Sequence, residues 1–273
     1  MYEDIIDLFG KKTGPTTIIL VGVHGNERCG IDVIKELLPS LKIQKGRVLI
    51  AYGNPKAIQE NVRYIETNLN RLFKPEKILS DKERKSYEFS RVQFLKKYLD
   101  QADYLLDVHA SLTPDSQRFV ICEENAKDII KYLPVSLVVS GFDKVEPGGT
   151  DYYLNQRGKI GICIECGYFN DTSSKKITKE SVISFLTACG NITGTTKEYS
   201  QTKIAIRGLY STKNNFVLAR QFKDFEKIKT GEIIGKDGAE EIKMPINGII
   251  LFARNRNTSD EEAFLYGQYK NKV

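Results

Sequence analysis

Thr16-Thr17-Ile18-Ile19-Leu20-Val21-Gly22-Val23-His24-Gly25-Asn26-Glu27 begins as an apolar run that reads as a β-strand and closes on a histidine with a carboxylate three residues later. The chain has one other histidine, His109, and it follows a second run of the same kind, Tyr104-Leu105-Leu106-Asp107-Val108. Both histidines therefore stand at predicted strand ends. A His-x-x-Glu pair at one strand end plus a distant His at another supplies two imidazoles and a carboxylate. These are the protein ligands of a hydrolytic zinc site that keeps its fourth position open.

Strands and helices alternate on either side of these runs. Asn26 reads as the cap of a helix carrying Ile31, Ile34, Leu37, Leu38 and Leu41 on one face. A strand is expected at residues 47–53, closed by Asn54-Pro55, followed by a polar stretch over 61–74 that fits neither period. A long amphipathic helix follows over 81–101, with Val92, Leu95 and Leu99 inward. Further strands are predicted at 118–122, 135–139 and 160–166, and helices at 125–132 and 178–189. Such alternation defines an α/β fold, a parallel or mixed sheet with helices on both faces. Ligands of open α/β sheets bind beyond the carboxyl ends of the strands, where His24, His109 and Glu165 all fall.

After about Thr195 the texture changes to short apolar stretches separated by Gly, Asn and Lys turns, which predicts a small β-barrel-like domain over 195–273 behind a catalytic α/β domain over 1–194. Residues 231–235 and 244–250 look like pieces of a biotinyl/lipoyl-type barrel. Lys243-Met244 lacks the full Met-Lys-Met hairpin, so no attached prosthetic group is expected.

The 273 residues suffice for one large domain and one small one, and the net charge of +6 is spread over Lys and Arg scattered among Asp and Glu. That distribution argues against nucleic acid as a partner and suits a small acidic substrate. The acidic start, Met1-Tyr2-Glu3-Asp4, lacks a signal-peptide layout, and no apolar run reaches membrane-spanning length. A cytoplasmic protein without a membrane partner is expected. Five cysteines, an odd number, point to free thiols. Cys163-Ile164-Glu165-Cys166 has the spacing of a redox or metal pair, but on a strand positions three apart face opposite sides. Buried thiols are the better reading for all five.

The motifs assemble in order: His24-Gly25-Asn26-Glu27, Arg63-Tyr64, Asn68-Leu69-Asn70-Arg71-Leu72-Phe73, Asp107-Val108-His109 and Ile164-Glu165-Cys166-Gly167. Together they resemble the signature of the succinylglutamate desuccinylase and aspartoacylase family, zinc enzymes related to the metallocarboxypeptidases. The resemblance implies a zinc-carboxypeptidase-like fold and one Zn2+ per chain on His24, Glu27 and His109. It implies that Glu165 is the general base and acid and that Arg63 stabilises the oxyanion. Asn70 and Arg71 would hold the carboxylate of the amino-acid part of a small anionic N-acyl amino acid. Arg157 is the nearest candidate for the family's selectivity arginine upstream of the catalytic Glu, and Tyr266 for a substrate-reaching tyrosine of the C-terminal domain. Asn68 stands where the family commonly has an acidic residue, and so lacks the charge that would brace a neighbouring arginine.

The expected function is a zinc-dependent amidohydrolase, in which Glu165 moves a proton from water to the leaving amine. Asp107, two residues before His109 on the same side of the strand, is a candidate to orient an imidazole. A metallocarboxypeptidase-like peptidase and a non-catalytic zinc-containing ligand-binding protein are the alternatives. The presence of Glu165 argues against the second, and a homo-oligomer is left open.

Overall fold

The computed structural model describes residues 4–114 and 116–270. The chain forms two units, one of Met1–Val138 and Pro147–Gln201, the other of Val139–Glu146 and Thr202–Val273. The division expected near 194 thus falls after Gln201, and a short internal segment also goes over to the second unit.

In chain order the first unit holds β1 (Ile5–Phe9), β2 (Lys12–Val21), α1 (Arg28–Leu37), β3 (Lys45–Tyr52), α2 (Pro55–Glu60), α3 (Asp81–Lys85), α4 (Tyr87–Leu99), β4 (Tyr104–Ser111), β5 (Phe119–Cys122) and α5 (Lys127–Ile130). Past β6 (Leu137–Ser140), in which the first boundary falls, and α6 (Phe142–Val145), it resumes with α7 (Thr150–Asn155), β7 (Ile160–Tyr168) and α8 (Thr172–Ala188). Its strands run β1-β3-β2-β4-β7-β5 across a mixed sheet. The three inner pairings are parallel, and the outer strands β1 and β5 are antiparallel to their neighbours.

Alternate residues of each strand feed two cores. Ile19, Val21, Leu106, Val108, Ile162 and Ile164 pack with Ile31 and Ile34 of α1 and Phe185 of α8. Ile18, Leu20, Leu49 and Leu105 pack on the other face with Val92, Leu95 and Leu99 of α4 and Leu154 of α7. Helices cover both faces, which is why these strands read as continuous apolar runs rather than as alternating ones.

Three helix ends differ from expectation. Glu27, not Asn26, occupies the N-cap of α1, and its side chain makes no capping bond. The helix expected over 81–101 breaks at Ser86, which takes extended backbone (φ −72°, ψ 156°) and accepts from Phe89 N at 3.2 Å to cap α4. Serine favours a cap because its hydroxyl replaces a missing backbone acceptor. α8 begins at Thr172, earlier than expected, with Asp171 accepting from Ser173 N at 2.8 Å. Its polar first turns carry no apolar period to read.

At the start of the parallel strands, Asp103 joins three of them. Its carboxylate accepts from Thr16 N at 3.0 Å and from Lys159 Nζ at 2.7 Å. Its backbone donates to Thr16 O and accepts from Ile160 N.

The second unit adds β8 (Thr202–Ser211), β9 (Phe216–Leu218), β10 (Glu226–Ile228), β11 (Ile233–Asp237), β12 (Glu240–Lys243), β13 (Gly248–Leu251) and β14 (Glu262–Tyr269). These form two antiparallel sheets, β8-β14-β13-β10 and β12-β11-β9. Phe216, Ile234, Ile242, Met244, Ile250 and Phe264 from both sheets meet in one core. The arrangement is two separate sheets, where the sequence suggested a barrel. The segment Val139–Glu146 runs against β8: Ser140 Oγ donates to Ile204 O at 3.4 Å, and a Cβ on Gly141 would lie 2.8 Å from Ile206 O.

The five cysteines are free and buried. Among the described residues no helix is long and apolar enough to cross a membrane.

Candidate metal and active site

Because β2 and β4 are parallel neighbours, their carboxyl ends share one edge of the sheet. His24 follows the first, and His109 lies two residues before the end of the second. Between His24 and α1 the chain turns tightly against α2. A Cβ on Gly25 would lie 2.0 Å from the carbonyl carbon of Ala57, and Gly25 N donates to Arg63 O at 3.2 Å. The turn delivers Glu27 to the N-cap position with its carboxylate facing both histidines.

His24 Nδ1 lies 2.7 Å from Glu27 Oε1 and His109 Nδ1 lies 2.9 Å from Oε2. Ala110 N and Arg63 Nη1 also donate to this carboxylate, at 3.1 and 3.0 Å. Of the outer ring nitrogens, that of His24 is hydrogen-bonded, and that of His109 lies beside a carboxylate without a hydrogen bond. His24 Nε2 is 3.1 Å from Asn68 Oδ1, and His109 Nε2 is 3.2 Å from Asp107 Oδ2, which accepts from Thr150 Oγ1 at 2.5 Å. Asp107 thus stands where the sequence put it, beside an imidazole. Asn68 braces His24, not an arginine.

The electrostatics follow from burial and these neighbours. Burial pushes His24 down by more than Glu27 raises it. His109 also pays for burial, yet Asp107, Cys163 and Glu27 together hold it well above the usual histidine range. Burial would raise Glu27, but the two histidines outweigh it and keep the carboxyl well below its ordinary value. Deeper in the same network, burial pushes Asp151 up to about 6, with Asp107 adding to the effect.

One ligand atom from each of His24, Glu27 and His109 falls within 4.8 Å of the other two, and this is the one such cluster among the described residues. Two imidazole nitrogens and a carboxylate oxygen, converging among buried side chains, can hold a metal ion. The donor set fits Zn2+.

Glu165 lies on β7, the parallel neighbour of β4, in register with His109. Residues so paired share a face on strands about 5 Å apart. The polar stretch after α2 brings the other predicted residues. Arg63 reaches Glu27, and Leu69–Arg71 forms a 3-10 turn capped by Asn68, whose Oδ1 also accepts from Asn70 N. Asn70 Oδ1 accepts from Thr150 N at 3.2 Å, and Arg71 Nη1 donates to Asn70 O at 2.9 Å.

One predicted residue of this unit, Arg157, is not brought to this cluster. It stacks on Tyr153, 3.4 Å from the ring centre, and donates to Asp100 Oδ1 at 3.0 Å. Asp100 precedes the start of β4, five residues of strand or roughly 16 Å from His109, so Arg157 stands at the opposite edge of the sheet. On the site's edge the structure instead puts Arg118, packed over Gly167 two residues past Glu165. Tyr266 belongs to the second unit, where it covers Gly208 on the paired strand β8. Sequence reasoning also missed Glu88, which anchors the loop between Arg63 and Asn68. Its signal was a carboxylate on the apolar stripe of α4.

Fold and donor set define a class: an α/β domain with a two-histidine, one-carboxylate metal cluster at the carboxyl edge of its parallel strands. The sequence model of the succinylglutamate desuccinylase/aspartoacylase catalytic domain matches residues 13–186, and the chain belongs to that family. A succinylglutamate desuccinylase from Pseudomonas putida is 33% identical over 108 residues, covering 36% of this chain and 32% of the relative. One from Shewanella baltica is 41% identical over 70 residues, 24% and 20% of the two chains. The matching stretch spans a third or less of these relatives' length. Crystal structures of succinylglutamate desuccinylases from Vibrio cholerae and Vibrio parahaemolyticus superpose with TM-scores of 0.80 and 0.78 at 16% and 15% identity. Each covers 97% of this chain, and the matches take in 85% and 86% of those chains. At such identity the likeness is one of fold.

Proposed function

We propose that this chain is a zinc-dependent amidohydrolase that cleaves the acyl amide bond of an N-acyl amino acid. The observation that carries the reading is the convergence of His24, Glu27 and His109 within 4.8 Å, beside the strand that bears Glu165. Family membership supports it. His24, Glu27 and His109 would hold one Zn2+ per chain. Bound there, Zn2+ supplies Lewis acidity, polarising a carbonyl and lowering the pKa of water towards roughly 7.

Glu165 takes a proton from the attacking water and returns it to the amine nitrogen as the C–N bond breaks. Arg63 donates to the former carbonyl oxygen as negative charge develops on it. Arg71 offers a planar fork that pairs two-to-two with the carboxylate of the amino-acid part. Asn70 has committed Oδ1 to Thr150 N, which turns Nδ2 into its donor for the same carboxylate.

The test combines metal analysis with a panel of N-acyl amino acids, their C-terminal amides and short peptides. About one zinc per chain is expected, lost in His24→Ala or His109→Ala. Glu165→Gln should keep the zinc and lose roughly a hundredfold to ten-thousandfold in kcat. Free acids should be cleaved in preference to amides, and Arg71→Ala should weaken kcat/KM by about 2–5 kcal/mol. Loss of zinc in Glu165→Gln would move that residue into the ligand set. Equal cleavage of amides would remove Arg71 and Asn70 from the substrate.

A further inference from the structure

Glu88, Val92, Leu95 and Leu99 recur at helical spacing on one face of α4, and the last three pack into the core beneath the sheet. The carboxylate is therefore carried into the interior, where Glu88 is 0% exposed. A carboxylate so buried must have its oxygens satisfied. Oε1 accepts from Ile65 N at 2.7 Å and Asn54 Nδ2 at 3.0 Å. Oε2 accepts from Glu66 N and Thr67 N, both at 3.2 Å.

All of these donors are neutral. Arg91, one turn further along α4, spends its guanidinium on Gly53 O, Tyr52 O and Asp4. Three successive backbone N–H groups closing on one anion form the concavity that proteins use to bind phosphate or carboxylate ligands. Here the anion is the chain's own. Held by neutral donors alone, the carboxylate has no opposite charge to offset its desolvation, so stability alone does not account for it.

What the contact fixes is position. The anchored amides of Ile65, Glu66 and Thr67 lie between Arg63, which reaches Glu27, and Asn68, which holds His24. The backbone of Glu66 and its neighbours has no regular hydrogen-bonded ladder to hold it. Asn54 adds a second link, capping α2 through Ala57 N while donating to the same carboxylate. We infer that Glu88 is a positioning residue that sets Arg63 for its work on the substrate oxygen and Asn68 for its work on His24. The part concerning Arg63 rests on the proposed amide hydrolysis. The part concerning Asn68 needs only that the cluster binds zinc.

Glu88→Gln replaces one acceptor oxygen by an NH2 that opposes the backbone donors. In that variant, hydrogen exchange of the Ile65–Thr67 amides should quicken at least tenfold, and zinc affinity should fall three- to tenfold. With zinc saturating, kcat should fall at least tenfold. In an Arg63→Ala background the same substitution should cost less than threefold in kcat, because the residue it positions is gone. An equal loss in both backgrounds would overturn the assignment to Arg63. A lower Tm with wild-type kcat, zinc affinity and amide exchange would overturn the inference as a whole. If Glu88→Gln does not fold, Glu88→Asp keeps both acceptor oxygens on a shorter arm and carries the same cycle. If the wild-type protein hydrolyses no N-acyl amino acid, the functional reading fails while exchange and zinc affinity still decide the role of Glu88.

Discussion

A histidine binds a cation only through a nitrogen that carries no proton, and Asn68 decides which nitrogen of His24 that is. Its Oδ1 accepts from Asn70 N, which fixes the amide, and so it takes the ring proton on Nε2 and leaves Nδ1 for a metal. Asn68→Ala should weaken zinc binding by roughly ten- to a hundredfold, read by competition with a chromophoric chelator. Unchanged affinity would show that the ring needs no such brace. Gly25 acts by having no side chain: the α2 backbone fills the space a Cβ would take. Gly25→Ala should therefore cost at least about 3 kcal/mol in thermal unfolding and abolish stoichiometric zinc. A variant that melts like the wild type would mean the turn can move. At this scale the three residues of the cluster were legible as candidates, because ligand-type side chains at strand ends are few in a chain with two histidines. Arg157 misled because its distance along the chain from Glu165 does not reveal which edge of the sheet it reaches.

The parallel strands are fastened at the edge away from the site, and Asp103 is a fastening point. Burial would raise its carboxyl, but Lys159 and the Thr16 amide outweigh that and hold it below the ordinary aspartate value of 3.8. A folded-state value below the unfolded one means that the contribution is present above pH 3.8 and is lost as pH falls through the lowered value. The pair is half-exposed, so solvent limits it to about 1 kcal/mol or less. Urea unfolding of Asp103→Asn should show that deficit at pH 7 and a gap that closes as the pH falls below 3.8. A gap of the same size in acid would mean that charge is irrelevant there. Strands and long apolar helix faces were readable because their periods repeat. The break at Ser86 was not, since the apolar stripe of α4 begins beyond it and one serine serves equally as a cap or as a helical surface residue. The short elements β1, α2, α6 and α7 hold too few residues to display a period.

The two units are not consecutive stretches of chain, because Val139–Glu146 belongs with Thr202–Val273. The change of texture near Thr195 was visible in the sequence, but the excursion was not, since it reads as an ordinary strand followed by a turn. A fragment of residues 195–273 lacks that segment and would leave part of β8 uncovered, a bare strand edge. Expressed alone it should aggregate or give poorly dispersed amide resonances, whereas adding a peptide of residues 137–147 should improve dispersion. A well-dispersed spectrum from the fragment alone would show that the segment is dispensable to the second unit.

The same excursion has a bearing on how the protein is made. On a ribosome, Val139–Glu146 emerges about 55 residues before β8, the first strand of its own unit to follow it. At roughly 5–20 residues per second, that leaves the segment waiting about 3–11 s for its partner. During that interval its apolar residues, Val139 and Phe142 among them, are shielded by whatever nascent structure or chaperone is at hand. Slowing translation between codons 147 and 202 should therefore lower the yield of correctly assembled protein, which a soluble-expression measurement with rare codons placed there would check.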